Sequence, residues 1–169
     1  LPSVERIVRH LKKANTYDTA IVLDCGDIDR IGDVSSVVTR IPFIINIDHH
    51  VSNTGFGNIQ LIDEDACSTA EIVYRLIKAL PVPMDKAIAT CLYTGILTDT
   101  GSFRFSNTNQ AAFAISKEMA GLGMEPYDVA QHVFGTYSLG RIKLLNLALN
   151  SIEISDNGKL SMMTVTRKM

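Results

Sequence analysis

Two short, almost continuously apolar runs stand out along the chain. TAIVL at residues 19–23 and FIINI at residues 43–47 are typical of strands in a parallel sheet whose faces are both covered. The segment between the runs is too long for a hairpin, so the two strands are predicted to lie in an α/β domain.

Helical periodicity covers most of the remaining sequence. An amphipathic helix is predicted over residues 3–15, and the next over 67–81, where Ser68 and Glu71 have the spacing of a capping box and Pro81 marks the end. Further apolar periodicity predicts helices within residues 84–101, 108–123 and 125–150, the last range holding two short ones. IEISDNGKLSMMTVT predicts a hairpin that turns at Asn157 and Gly158.

These elements define the expected fold and domain organisation. The fold class is α/β, with a parallel sheet flanked by helices and a C-terminal β-hairpin. We expect one domain over residues 1–150 and the hairpin over residues 151–169.

The composition argues against a long nucleic-acid duplex and against a membrane as binding partners. The 169 residues carry a formal net charge of −2, which gives no general field for holding a long nucleic-acid duplex. No apolar run approaches the roughly 20 residues that span a bilayer, so no membrane partner is expected. Three cysteines without a CxxC pair argue against a zinc knuckle and a disulfide framework, and they favour a cytoplasmic location.

Acidic and histidine side chains follow both predicted strands. Asp24 comes directly after the first strand, and Asp48, His49 and His50 come at the end of the second, where ligand crevices of open α/β sheets form. Asp99 falls on the apolar face of a predicted helix near its C-terminal end, an unfavourable place for a carboxylate without a cation. Mixed carboxylate and imidazole ligands suit Mn²⁺ or Mg²⁺, although spacing alone leaves zinc and iron open.

Three motifs resemble those of a known family. VLDCGDIDRIG, then NIDHHVSN followed by FGN, and GILTDTGSFRFSNT match in order and spacing the second, third and fourth motifs of the DHH phosphoesterase superfamily. DACSTAEIVYRL is especially similar to the branch of nanoRNases with pAp-phosphatase activity and RecJ-type exonucleases. The resemblance implies a hydrolase that cleaves phosphoester bonds with two metal ions. Mn²⁺ is the first choice because of the ligand types.

The resemblance also implies roles for individual residues. Asp24 corresponds to the carboxylate that bridges the two ions, and His49 and Asp99 correspond to further ligands of one ion. His50 is expected to be catalytic, contacting the scissile phosphate as a cation or a general acid, and Asp48 to support catalysis by orienting an imidazole.

Substrate contacts are expected in the segment after Asp99. Ser102 and Arg104 are the candidates. For Arg104 the alternative is an arginine that is simply exposed on the surface. For the segment as a whole the alternative is a helix cap at Asn107 or Thr108. The expected substrates are short RNA oligonucleotides, pAp or linear dinucleotides. The sequence leaves the oligomeric state open.

Two parts of the family pattern are not found. The first motif, an acid pair before the first strand, is absent from residues 1–16, and no glycine-rich substrate-binding domain follows residue 169. We therefore expect a domain that is incomplete at its N-terminus, with impaired activity by itself. Two alternatives stay open: a pyrophosphatase or exopolyphosphatase of the same superfamily, and a non-catalytic nucleotide sensor.

Overall fold

The two apolar runs are neighbouring parallel strands in the computed structural model of the chain, which describes residues 1–8 and 17–169. Strand β1 (Thr19–Leu23) pairs with β2 (Phe43–Asp48), and β2 pairs with a third parallel strand, β3 (Ile59–Ile62). The order β1-β2-β3 confirms the predicted parallel sheet. Strand β3 was not predicted, because its four residues include the polar Gln60 and carry little pattern.

The sheet is covered more completely on β2 than on β1. Ile47 is buried with Ala66 and Ile72, and Ile45 packs against this cluster. By contrast, β1 lies at the sheet edge, and its Ile21 is 62% exposed. Full cover on both faces, expected from the apolar runs, therefore holds only for the second half of β2, where Asn46, Ile47 and Asp48 are buried.

Helices form where periodicity and caps predicted them, from residue 67 onward. The bounds are α1 Ser35–Val38, α2 Thr69–Ala79, α3 Lys86–Asp99, α4 Gln110–Gly121, α5 Pro126–Ala130 and α6 Leu139–Asn150. Turns of 3₁₀ type occupy Val4–Arg6 and Ile28–Val34, and a π turn occupies Gln131–Gly135. No helix among the described residues is both long and apolar enough to cross a membrane.

Helix ends show where local sequence rules hold and where they fail. Ser68 caps α2 by accepting from Glu71 N, as predicted, but the Glu71 carboxylate accepts from Cys67 N at 2.8 Å and not from Ser68 N. The cap expected at Asn107 or Thr108 is wrong, because Asn109 caps α4 by accepting from Ala112 N. Each of these residues can accept from a helix amide, so the sequence does not distinguish them.

The N-terminal prediction is only partly covered by the described residues. Val4–Arg6 form a single 3₁₀ turn that ends in the extended Ile7, instead of the first turn of an α-helix. The remainder of the predicted helix lies mainly in residues 9–16, outside the described residues.

The described residues fall into two compact units, Leu1–Pro126 and Tyr127–Met169. The first contains the three-stranded sheet and α1 to α4. The second contains α6 and an antiparallel hairpin of β4 (Glu153–Ile154) and β5 (Ser161–Met162), with Gly158 in a left-handed turn as predicted. The division falls at Pro126–Tyr127, within α5, and the domain bounds of 1–150 and 151–169 stay a prediction.

Helices α2 and α3 cross closely at a glycine, which gives a stability prediction. A Cβ at Gly95 would lie 2.7 Å from the Ala70 Cβ, whereas a Cβ at Gly121 would meet nothing within 4 Å. Gly95→Ala should therefore lower the free energy of unfolding by about 1–3 kcal/mol through overpacking. Gly121→Ala, at the end of α4, should be neutral or stabilising by up to about 1 kcal/mol. Denaturant unfolding of both variants checks the difference, and equal effects would contradict it.

Candidate metal centre

Asp24 is the first residue after β1 and adopts a left-handed conformation with φ 57°. Its amide donates to Ile47 O at 3.0 Å, which continues the β1–β2 ladder by one bond. The side chain is 52% exposed, and its Oδ1 accepts from Thr69 Oγ1 at 2.9 Å. The carboxylate is therefore held from one side and open on the other.

His49 faces two carboxylates with a single nitrogen. Its Nδ1 lies 3.3 Å from the Ala66 carbonyl, and since a carbonyl only accepts, Nδ1 carries the proton. That leaves Nε2, which is 3.4 Å from Asp99 Oδ2 and 3.7 Å from Asp24 Oδ1. Metal-binding histidines commonly use their second nitrogen in this way.

The residues fit a divalent cation. Ligand atoms that each lie about 2.1 Å from one ion are separated from one another by about 3.0–3.4 Å, close to the spacing of His49 Nε2 from the two acids. One ligand atom each from Asp24, His49 and His50 also lies within 4.8 Å of the others. The carboxylate oxygens suit Mn²⁺ or Mg²⁺, and the imidazole is a ligand of zinc and iron as well.

His50 is paired with the fully buried Asp48. The His50 Nδ1 lies 2.6 Å from Asp48 Oδ1, so Nδ1–H donates to the carboxylate and Nε2 is left for a ligand. Asp48 is 0% exposed and lies behind His50, as expected for an acid that orients an imidazole.

Hydrogen bonds keep the Asp48 carboxylate charged despite its burial. Burial by itself raises the pKa of Asp48, but donation from His50, from Asn53 and from the His49 amide holds the pKa below its ordinary value. The carboxylate therefore stays an acceptor for His50.

Asp99, the last residue of α3, has the opposite electrostatic situation. Burial raises the pKa of Asp99, and the negative charge of Asp24 raises it further, with His49 and His50 offsetting part of the effect. Two acids without enough compensating charge are what an incoming cation would stabilise.

This repulsion gives a prediction for metal-free protein. The folded-state pKa of Asp99 lies above its ordinary value of 3.8. The free energy of unfolding therefore falls as the pH rises from the ordinary pKa through the folded-state pKa, and it stays lowered at pH 7. Asp99→Asn should then raise the melting temperature of the metal-free protein. The expected gain in the free energy of unfolding is on the order of 0.5 kcal/mol, because solvent partly screens the carboxylate. In the presence of Mn²⁺, wild type should have the higher melting temperature of the two proteins. Asp63→Asn is the control with the opposite expected sign. Arg75 lowers the pKa of Asp63, so removing the Asp63 charge should destabilise the protein.

Three polar residues of this site were not identified from the sequence. Asn46 is fully buried, Asn53 donates to Asp48, and Thr69 donates to Asp24. Two signals were available for Asn46: it is polar inside an apolar strand, and it opens the motif NIDHHVSN. Asn53 closes the same motif but was given no role, and Thr69 lies within the predicted capping box, so the partners of both residues were not predicted.

The candidate substrate residues lie on a tight turn after Asp99. Gly101, Ser102 and Phe103 are all left-handed, with φ of 55°, 60° and 61°. Arg104 is exposed, and its Nε donates to the Gly101 carbonyl at 2.7 Å. After this turn, Asn107 Nδ2 donates to the Asp99 carbonyl at 3.1 Å, which brings Asn107 next to a proposed metal ligand. Ser102 and Arg104 remain predictions as substrate contacts.

A cavity of about 290 Å³ adjoins the two acids. Its lining includes Asp24, Thr69 and Asp99 together with Leu23 of β1 and further residues of α2 and α3. The acids are therefore reachable from a concave surface.

Comparison with protein families supports the motif resemblance. The family model described as the DHH family, N-terminal domain, matches residues 2–96. This range contains Asp24, Asp48, His49 and His50, and it ends before Asp99.

Relatives carry names from several phosphate-cleaving activities. The chain is 37% identical over 125 residues to the bifunctional oligoribonuclease and PAP phosphatase NrnA of Thermus thermophilus, covering 74% of this chain and 37% of the relative. It is 29% identical over 118 residues to a probable manganese-dependent inorganic pyrophosphatase of Streptococcus pyogenes, covering 66% and 38%. The crystal structure of an exopolyphosphatase-related protein from Bacteroides fragilis matches with a TM-score of 0.80 and 30% identity, covering 89% and 45%. The chain thus spans less than half the length of each of these proteins.

Proposed function

We propose, because this chain belongs to the DHH family, that it forms the metal-binding part of a manganese-dependent phosphoesterase that hydrolyses short RNA oligonucleotides or pAp. The observation that carries the proposal is the convergence of Asp24 and Asp99 on His49 Nε2, with His50 beside them. The names of the NrnA relative and the manganese-dependent relative support the substrate class and the metal.

Each residue has a part in the proposed reaction. When bound, Mn²⁺ supplies Lewis acidity at the phosphoryl group and activates a water as nucleophile. Asp24, His49 and Asp99 hold the ion. His50, oriented by donating its Nδ1–H to Asp48, presents Nε2 to the phosphate, and in its doubly protonated form it donates the Nε2 proton to the leaving oxygen.

A second ion is part of the proposal. Asp24, whose carboxylate is half exposed, would help to hold the second ion as well. Mg²⁺ is the other metal that this ligand set favours. We further propose that the hairpin leads to a separate substrate-binding domain. A cytoplasmic location stays a prediction.

Short substrates are favoured over long ones on charge. A net charge of −2 gives little attraction for a long polyanion, whereas a single phosphate needs only the local cation site. Pyrophosphatase or exopolyphosphatase activity is the second candidate, favoured by the names of the Streptococcus and Bacteroides proteins.

A substrate panel tests the proposal. The full-length protein is assayed for phosphate or nucleotide release from pAp, an RNA dinucleotide, pyrophosphate and polyphosphate, in Mn²⁺ and in EDTA. We expect Mn²⁺-dependent cleavage of pAp and the dinucleotide. Exclusive cleavage of pyrophosphate or polyphosphate would favour the second candidate, and nucleotide binding without Mn²⁺ binding or turnover would favour a sensor.

A further inference from the structure

A chain of side-chain amides lies behind the His50–Asp48 pair. Asn53 Nδ2 donates to Asp48 Oδ2 at 2.6 Å and to Asn46 Oδ1 at 2.9 Å. Asn46 Nδ2 in turn donates to the Cys25 carbonyl at 3.2 Å. The chain of contacts therefore runs from His50 to the residue that directly follows Asp24.

The Asn53 amide is fully used by these contacts. Its two N–H groups have the Asp48 and Asn46 oxygens as their nearest acceptors, and the Cys25 carbonyl is more distant at 3.4 Å. Its Oδ1 accepts from Gly55 N at 2.7 Å. Only a side chain with two donors and one acceptor satisfies this position, which asparagine does and aspartate does not.

The turn that carries Asn53 is attached to the Asp24 loop as well. Asn53 N donates to His50 O at 3.0 Å, and Thr54 donates to Gly26 O through both its amide and its hydroxyl, at 2.8 and 3.1 Å. The His50 turn and the loop after β1 are thus connected by backbone bonds and by the amide chain. Movement of Asn53 would disturb the relation of His50 to Asp24.

We infer that Asn53 is a positioning residue: by holding the buried Asp48 carboxylate, it fixes the Nδ1–H form and the ring orientation of His50 and so directs Nε2 to the substrate. Asn46 supports Asn53 from the strand interior. The inference rests on the proposed function for its kinetic consequence, while the state of the His50 ring is independent of any substrate.

Matched asparagine variants of the full-length protein test this role. Asn53→Asp places a carboxylate against Asp48 and Asn46 without changing side-chain shape, and Asn53→Ala removes the donors without adding charge. Asn58→Asp is the control, because among residues 1–8 and 17–169 the Asn58 side chain makes one hydrogen bond, in which its Oδ1 accepts from Ile44 N at 2.7 Å, and aspartate keeps that acceptor.

Two readouts separate positioning from a general structural effect. In metal-free protein at alkaline pH, where the imidazole is neutral, ¹⁵N NMR should show His50 as the Nδ1–H tautomer in wild type and Asn58→Asp, and as a mixture of tautomers in both Asn53 variants. With pAp, kcat should fall about 10–100-fold in the Asn53 variants, with KM and Mn²⁺ affinity within about twofold.

Clear results would overturn the inference. An unchanged His50 form in a folded Asn53→Ala variant, shown by an unaltered circular dichroism spectrum, removes the positioning role. A kcat loss no larger than that of Asn58→Asp does the same. If wild type hydrolyses none of the panel, the proposed function fails, and the NMR comparison still decides the role of Asn53.

Discussion

Replacing Asp24 by asparagine is expected to abolish Mn²⁺ binding and to reduce phosphoesterase activity by at least about 10³-fold. Asp24 is the acid proposed to contact both ions, and the loss of several kcal/mol of Lewis-acid stabilisation corresponds to a factor of this size. Asparagine keeps the oxygen that accepts from Thr69 Oγ1, so the fold should be preserved. Calorimetric Mn²⁺ titration and pAp turnover of the full-length protein measure the two effects.

Asp27→Asn is the matched control for this experiment. Asp27 lies in the same loop, but its side chain accepts from Asp29 N at the start of a 3₁₀ turn, and asparagine can do the same. Mn²⁺ affinity and turnover should stay within about twofold of wild type. The ligand assignment is wrong if Asp24→Asn binds Mn²⁺ as wild type does.

The adjacent histidines should respond differently to the same substitution. His49→Gln should lose Mn²⁺ affinity, because Nε2 is the nitrogen that faces Asp24 and Asp99. His50→Gln should keep most of that affinity and lose about 10²–10⁴-fold in kcat, as expected when a general acid or phosphate contact is removed. Mn²⁺ titration and steady-state kinetics, compared between the two variants, give both values.

The comparison of His49→Gln with His50→Gln also tests whether His50 is a metal ligand. Ligand atoms of Asp24, His49 and His50 lie within 4.8 Å of one another, so His50 could itself complete the ion site. In that case His50→Gln would lose Mn²⁺ affinity as severely as His49→Gln. Such a result would move His50 from the phosphate to the metal.

Much of the fold was predictable because its determinants are local. Apolar runs identified β1 and β2, and periodicity with a Ser68 cap identified α2. Since both strands are parallel, their carboxyl ends meet, and this alone predicted that Asp24 and the His49 segment would be neighbours. The predicted hairpin likewise follows from a local Asn-Gly turn signal.

The supporting contacts of the site were not predictable in the same way. Thr69 reaches Asp24 across 45 residues, and Asn46 contacts the Cys25 carbonyl across 21. Such partners depend on which strands lie side by side and in what register, which a single sequence does not specify for short strands. Asn53 is close in sequence to Asp48, but as a turn residue it gave no sign of pointing inward.

The pairing of Leu23 with Ile47 has a consequence for folding. If β1 slipped by two residues along β2, every side chain would keep its face of the sheet and the ladder could reform, yet Asp24 would be displaced by about 6.6 Å along the strand. The carboxylate would then be out of reach of His49 Nε2. Metal capture should therefore distinguish the native alignment from a slipped one, and Mn²⁺ binding during refolding would time the step at which the two strands align.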